Sequence, residues 1–338
     1  MPPNDLQACL EGLVDVTATP PPPLHAASSF HDFVHSRFGA GLARVFMTPY
    51  NEKVWGVPLT AMGASWTGER VAAPCLKKVL GGFVHCRDEV SWGPNSTFRF
   101  PARGGTGAIW AGMAARVLPP QRLRCGAAVA AVHSASRTLT LASGETLRYA
   151  ALVSTMPMDA LVQRLTDQPA LAPLAQRFVH SSTHVVSVGL AGMPPPHLAG
   201  KCWMYFPEDS APFYRVTVFS HYAPANVPRP GEQYSLMCEV CDTPWRPAPG
   251  GSSNGSNGSS GVVEAVLAGL RAVGLLEAGV APLTTFHRRL EHGYPTPWLG
   301  RDAVVGAVDA ALKPLGIHSR GRFGGWKYEV ANQDHSFM

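Results

Sequence analysis

Six side chains spread over the chain have the chemistry to hold an anionic ligand: Arg70, Arg215, Tyr205, Tyr222, Tyr294 and Tyr328. Arginine presents a planar fork of donors that matches a phosphate, and a phenol adds a hydroxyl donor. They lie in separate stretches. Phe46-Met-Thr-Pro-Tyr-Asn-Glu-Lys-Val-Trp55 carries ring faces at Phe46, Tyr50 and Trp55 beside the Asn51 amide. Such a set either stacks a nucleoside and reads a base edge or ribose, or glues a helix bundle. Trp66-Thr-Gly-Glu-Arg-Val-Ala-Ala-Pro74 puts Arg70 among small residues, as a phosphate ligand or as a surface ion pair with Glu69. In Cys202-Trp-Met-Tyr205, Trp203 and Tyr205 share one face of a strand, Arg215 opens the next strand and Tyr222 follows seven residues on. That is a sugar-phosphate floor, or strand residues chosen for β propensity. Gly293-Tyr294-Pro295 presents a phenol from a turn at a strand end. Last, glycines 321, 324 and 325 alternate with Arg322, Trp326 and Tyr328 before Asn332, Gln333, Asp334, His335 and Ser336, a ligand cradle or a turn with a tail.

No Ser-His-Asp order, close carboxylate pair or metal cluster stands out. Cys238-Glu-Val-Cys241 reads as core thiols, and His31/His35 as an exposed helix face. The inventory is therefore Arg and Tyr donors with asparagines, which suits a diphosphate ester and leaves the hard chemistry to a cofactor. Each charge-assisted Arg–phosphate bond is worth about 1.5–3 kcal/mol, so two arginines would dominate binding. The net charge of +5 is carried by scattered basic residues, which excludes a nucleic-acid face. No apolar run reaches membrane-spanning length, and seven cysteines without framework spacing point to reduced thiols in the cytoplasm.

These residues need elements to position them. Leu6, Leu10, Leu13 and Val14 form a helical stripe over 3–16, and four prolines over 19–23 end it in an extended loop. Ser29 and Asp32 make a capping-box start for a helix to Gly39, and another covers 42–47. Thr97-Phe-Arg-Phe-Pro101 reads as a short strand leading through Arg103-Gly-Gly-Thr-Gly107 into a helix over 108–117. Runs at 123–133, 138–142 and 146–154 form a three-stranded meander, followed by helices near 158–166 and 170–178. The stretches 182–192, 213–222, 233–241 and 283–291 alternate as strands of an antiparallel sheet. A Ser/Gly/Asn insert at 250–261 reads as flexible, and helices follow at 262–276 and 301–314.

The four stretches, Ser91-Trp-Gly-Pro-Asn95 and the terminal run resemble, in order, eukaryotic UDP-galactopyranose mutase. Gly68-Glu-Arg-Val-Ala-Ala-Pro74, Thr97-Phe-Arg-Phe-Pro-Ala-Arg-Gly-Gly-Thr-Gly107 and Asn332-Gln-Asp-His-Ser-Phe337 carry the likeness, which runs from about Cys9 to Met338. The resemblance implies a mixed α/β (α+β) fold, an FAD-binding fold joined to a helical bundle and an antiparallel substrate-binding sheet. It implies an isomerase that interconverts UDP-galactopyranose and UDP-galactofuranose through a reduced-flavin N5–sugar adduct, with FAD as cofactor and NADPH as reductant. By the same resemblance Arg70 and Arg215 clamp the diphosphate with Tyr205, Tyr222, Tyr294 and Tyr328. Phe46, Tyr50, Asn51 and Trp55 hold the uridine, and Asn95, Trp203 and Asn332 contact the sugar. Arg322, Asn332, Gln333 and Ser336 line the flavin.

Members of that family begin with a strand, G-x-G-x-x-G and helix for the FAD pyrophosphate and carry a His-bearing loop beside the flavin. Neither has a match here, nor does the closing helix after Ser336, and Ala331 stands where glycine is usual. The expected division is a helical bundle at 1–80, an antiparallel substrate domain at 81–100 and 180–300 with a disordered insert at 246–261, and the remainder of an incomplete FAD-binding domain at 101–179 and 301–338. A non-catalytic UDP-sugar binder and a flavin amine-oxidase-like oxidoreductase are the alternatives. A homo-oligomer is left open.

Overall fold

The computed structural model describes residues 1–19, 25, 28–68, 71, 74–86, 98–250 and 256–328. The Leu stripe forms α1 (Pro3–Ala18), whose Cys9 and Leu13 are buried. The proline loop lies outside the described residues. The capping box forms as read: the Ser29 hydroxyl accepts the Asp32 N–H at 3.1 Å, and the Asp32 carboxylate accepts the Ser29 N–H at 3.0 Å. Such a cap contributes about 0.5–2 kcal/mol. The helix it starts, α2 (Phe30–Leu42), does not stop at Gly39 but bends there and continues. The helix expected over 42–47 is instead a π-helical turn (Ala43–Met47) feeding α3 (Thr48–Trp55). Helices α4 (Leu76–His85) and α5 (Gly107–Val117) follow, α5 rising from the Arg103–Gly107 turn.

Residues 98–101 pair with no strand among the described residues, contrary to the reading of the stretch ending at Pro101. Proline lacks the ladder donor, and the rings go elsewhere: Phe98 stacks on Trp203 with centroids 5.2 Å apart, and Phe100 meets Tyr222 at 5.1 Å. The meander is shorter than expected. Strands β1 (Val129–His133), β2 (Thr138–Leu141) and β3 (Thr146–Arg148) pair antiparallel in order. The run then splits at Tyr149, because its end, β4 (Leu152–Ser154), pairs in parallel with a distant strand, β10 (Ile317–Ser319). The two helices expected next are also cut short, to α6 (Met158–Gln163) and a single turn, α7 (Ala172–Ala175).

The antiparallel sheet is present as expected and gains a strand: β5 (His180–Ala191), β6 (Trp203–Tyr205), β7 (Arg215–Val218), β8 (Gln233–Asp242) and β9 (Thr284–Pro295), in the order β6-β7-β8-β5-β9. Alternation gives each face its own neighbour. Leu236, Cys238 and Val240 of β8 join Val186, Val188 and Leu190 of β5 in a core against α8 (Ser256–Ala272). Val262, Val266 and Leu270 are fully buried there, each worth about 1.5–3 kcal/mol. Helix α8 begins inside the segment read as disordered, so the 246–261 assignment is corrected for 256–261: the apolar stripe downstream extends the helix backwards through poor helix formers. Its second turn is held where the backbones of Gly250 and Gly261 meet closely; a Cβ on Gly261 would lie 3.0 Å from the Gly250 Cα.

The opposite face of the sheet carries Arg215, Glu239, Tyr205 and Tyr294 and looks toward the helices α2 and α3. A second core joins Phe30, Phe33, Val34, Trp55 and Trp66 with Tyr294 and Tyr328. A third gathers α6, β4, β10 and α9 (Arg301–Leu312) around Trp326. Among the described residues no helix is long and apolar enough to cross a membrane.

Candidate active site

The π-helical turn sets the first wall. It leads Phe46 and Tyr50 onto one face, four residues apart, with rings parallel to 8° and centroids 5.1 Å apart. This is a flat shelf of stacked rings. Tyr50 then meets Tyr205 edge-to-face at 5.2 Å, joining the helix to the sheet edge. Asn51 donates its amide N–H to the Met47 carbonyl at 2.7 Å, so that donor is committed to its own helix. Trp55 does not belong to the shelf: it is 2% exposed, enclosed by Trp66, Tyr294 and Tyr328, and supports the wall from behind.

The floor comes from strand register. Tyr205 on β6 stands opposite Arg215 on β7, and Arg215 stands opposite Glu239 on β8. Glu239 accepts from Arg215 Nε at 3.0 Å and Nη2 at 2.5 Å, and from the Tyr214 hydroxyl at 2.7 Å. Among the described residues Arg215 Nη1 bonds nothing. Burial works against the guanidinium charge, and the Glu239 carboxylate more than offsets it. Sequence reasoning missed Glu239; its one signal is a carboxylate in the interior of a strand whose other acid, Asp242, is its last residue.

Tyr294 does not sit at a turn as expected. It is the penultimate residue of β9, aimed inward by a bulge between Ser181 and Thr183 of β5. Gly293 permits that approach, since a Cβ there would lie 2.1 Å from the Thr183 hydroxyl. Tyr294 contacts Tyr328 at 5.4 Å, and the Arg322 guanidinium lies over both rings, 5.8 and 5.4 Å from their centroids. Burial pushes the Tyr294 and Tyr222 phenols up to about 12, and raises Tyr50 and Tyr205 as well. The Arg215 charge acts on all four hydroxyls in the opposite sense. All remain protonated donors at neutral pH. Trp203 and Tyr222 form an adjoining cluster, 6.2 Å apart, with Phe98 and Phe100.

Thus Phe46, Tyr50, Tyr205, Arg215, Tyr294, Tyr328 and Arg322 come together, Trp203 and Tyr222 adjoin them, Trp55 packs behind the shelf, and Asn51 bonds its own helix. Arg70, Asn95, Asn332, Gln333 and Ser336 lie outside the described residues. A second polar cluster, Asp159, His180 and His292, keeps its donor atoms within 4.8 Å of one another. Its imidazoles stack at 4.2 Å and 25°, so their lone pairs run side by side instead of converging; His292 Nε2 pairs with Asp159 at 3.1 Å and ties the sheet to α6.

Residues 12–196 match the family of flavin containing amine oxidoreductases. The chain belongs to that family. It is similar to a reduced UDP-galactopyranose mutase of known crystal structure, at 39% identity and TM-score 0.91, covering all of this chain and 70% of that one. A protoporphyrinogen oxidase-like protein of Exiguobacterium sp. 255-15 shares the fold at 16% identity and TM-score 0.65, over 98% and 70% of the two chains. So does a CLA-producing fatty acid isomerase of P. acnes, at 10% identity and TM-score 0.57, over 96% and 73%. The fold is therefore the mixed, flavin amine-oxidase-like one, and a flavin is the cofactor of such an enzyme. The residues present fit it. Ser154 and Ser319 end the parallel strands β4 and β10 side by side, and their buried hydroxyls have no partner among the described residues. Ligands of flavin size bind beyond the carboxyl ends of parallel strands, where those hydroxyls lie.

Proposed function

We propose that this flavoenzyme interconverts UDP-galactopyranose and UDP-galactofuranose, with FAD as the flavin, NADPH as its reductant and the cytoplasm as its setting. The observation that carries the proposal is the Arg215–Glu239 pair, ringed by protonated phenols beside a stacked aromatic shelf. The likeness to a UDP-galactopyranose mutase supports it. The proposed roles follow the family resemblance: Phe46, Tyr50 and Trp55 hold the uridine, while Arg215, Tyr205, Tyr222, Tyr294 and Tyr328 receive the diphosphate. Arg70 joins the diphosphate, and Asn51 offers its remaining polar atoms to the uridine. Asn95, Trp203 and Asn332 contact the sugar, and Arg322, Gln333 and Ser336 line the flavin.

When bound, a reduced flavin supplies the nucleophile for the anomeric carbon. This chain supplies the rest. Departure of UDP leaves negative charge on the β-phosphate, and donors already aimed there stabilise that charge without reorganising. The free Nη1 of Arg215 and the phenols of Tyr205 and Tyr294 are such donors. Because each phenol stays protonated through neutral pH, the pocket donates to the anion and takes no proton from it. The shelf keeps the nucleotide in place, so that the same UDP is at hand when the sugar returns. Full-length protein with reduced FAD should convert UDP-galactofuranose to UDP-galactopyranose, followed by chromatography. Arg215→Ala should abolish the conversion and weaken UDP binding in calorimetry. UDP binding without conversion would favour the non-catalytic binder, and binding of neither would overturn the reading.

A further inference from the structure

Lys53 sits in the middle of α3, three residues after Tyr50, and is 1% exposed. A buried ammonium needs partners to offset its lost hydration. Lys53 Nζ finds them far away in sequence, donating to the carbonyls of Phe206 at 3.0 Å and Glu208 at 2.6 Å. Those carbonyls belong to the turn that leaves β6 directly after Tyr205. The charged groups acting on Lys53 are Arg246, Asp209 and Glu208, and Arg246 is itself paired to Asp209 at 2.5 Å. Burial holds the amine down to about 8. Lys53 therefore bridges the two halves of the pocket: α3 carries Tyr50, the turn follows Tyr205, and the two rings meet edge-to-face at 5.2 Å.

We propose that Lys53 is a positioning residue: by tying α3 to the 206–208 turn it fixes the span between the Phe46–Tyr50 shelf and the Tyr205–Arg215 edge, and so sets affinity for ligands that bridge both. The inference rests on reading the pocket as a nucleoside diphosphate site. A ligand held at both ends gains from a fixed span, because its second contact is made within the complex, whereas a ligand held at one end does not. Structural damage alone would weaken both kinds of ligand together. A loosened span weakens only the bridging one.

The test is calorimetric binding of UDP and of uridine to the full chain, wild type and Lys53→Met. Methionine keeps the length of the side chain and removes the donor. UDP affinity should fall about tenfold or more while uridine affinity changes less than about twofold. Pro207→Gly, which loosens the turn and leaves Lys53 in place, should shift the UDP-to-uridine ratio in the same direction by a smaller factor, and it stands in if Lys53→Met does not fold. Equal losses for the two ligands, or no loss in either variant, would overturn the positioning role. Wild-type protein that binds neither ligand would instead overturn the nucleotide site beneath it, so the two failures are distinguishable.

Discussion

Glu239 and Asp242 are three residues apart on β8 and face opposite sides of the sheet, and both are buried carboxylates that hold an arginine. The difference lies in what each arginine has left. Arg289, on the α8 side, spends all three nitrogens: Nε on Asp242 at 3.1 Å, Nη1 on Glu291 and Nη2 on the Ser182 hydroxyl at 2.8 Å. Asp242 is closed further by the Ala248 N–H at 3.1 Å and by His184 at 3.4 Å, and His184 leans on His287 at 2.8 Å. Arg215, on the pocket side, gives two nitrogens to Glu239, and among the described residues its Nη1 bonds nothing. One network is saturated and holds strands together. The other is held rigid and left one donor short, as a site for an anion requires.

The largest effect that separates them comes from removing the carboxylates. Glu239→Ala removes both side-chain bonds of Arg215 and should cost about 3–5 kcal/mol in urea unfolding, whereas Asp242→Ala leaves Arg289 bonded to Glu291 and Ser182 and should cost less. Only Glu239→Ala should also weaken UDP; an equal loss in Asp242→Ala would erase the distinction. Next, Arg215→Ala should lose about 1.5–3 kcal/mol of UDP affinity in calorimetry, while Arg289→Ala leaves it unchanged. Tyr50→Ala should remove about 1–3 kcal/mol of stacking and appear with uridine alone. The smallest effect is in pH. Burial lowers the His184 pKa below its ordinary value, with Asp242 opposing. Below pH about 6.5 the unfolded chain takes up that proton before the folded one, so stability falls with falling pH; His184→Gln should flatten that limb. On the pocket side Lys53, held down to about 8, acts in the same sense in a higher window: stability rises from pH about 8 toward 10, and Lys53→Met should remove the rise.

The pocket-side residues were legible where they are local. Phe46 and Tyr50 are one helical turn apart, and the capping box that starts the bundle is a four-residue pattern. Arg215, Tyr205 and Tyr294 could be named, but their meeting depends on register across β6, β7, β8, β5 and β9, which no short pattern encodes. Glu239 and Lys53 escaped notice for the same reason: their partners lie 24 and 153 residues away. Spacing puts Trp55 near the shelf without saying which side of the helix the core claims; its ring packs against Trp66, Tyr294 and Tyr328. The run at 146–154 was misjudged because β4 finds its parallel partner at 317–319, beyond any local window.

The meeting of Gly250 and Gly261 has a consequence for engineering. The contact closes the chain between the two glycines on itself, and doubling the length of a closed stretch adds only about 0.6 kcal/mol. A fluorescent reporter or affinity tag spliced in directly after Gly250, ahead of α8 at Ser256, would leave α8 seated and the pocket on the far side of the sheet untouched.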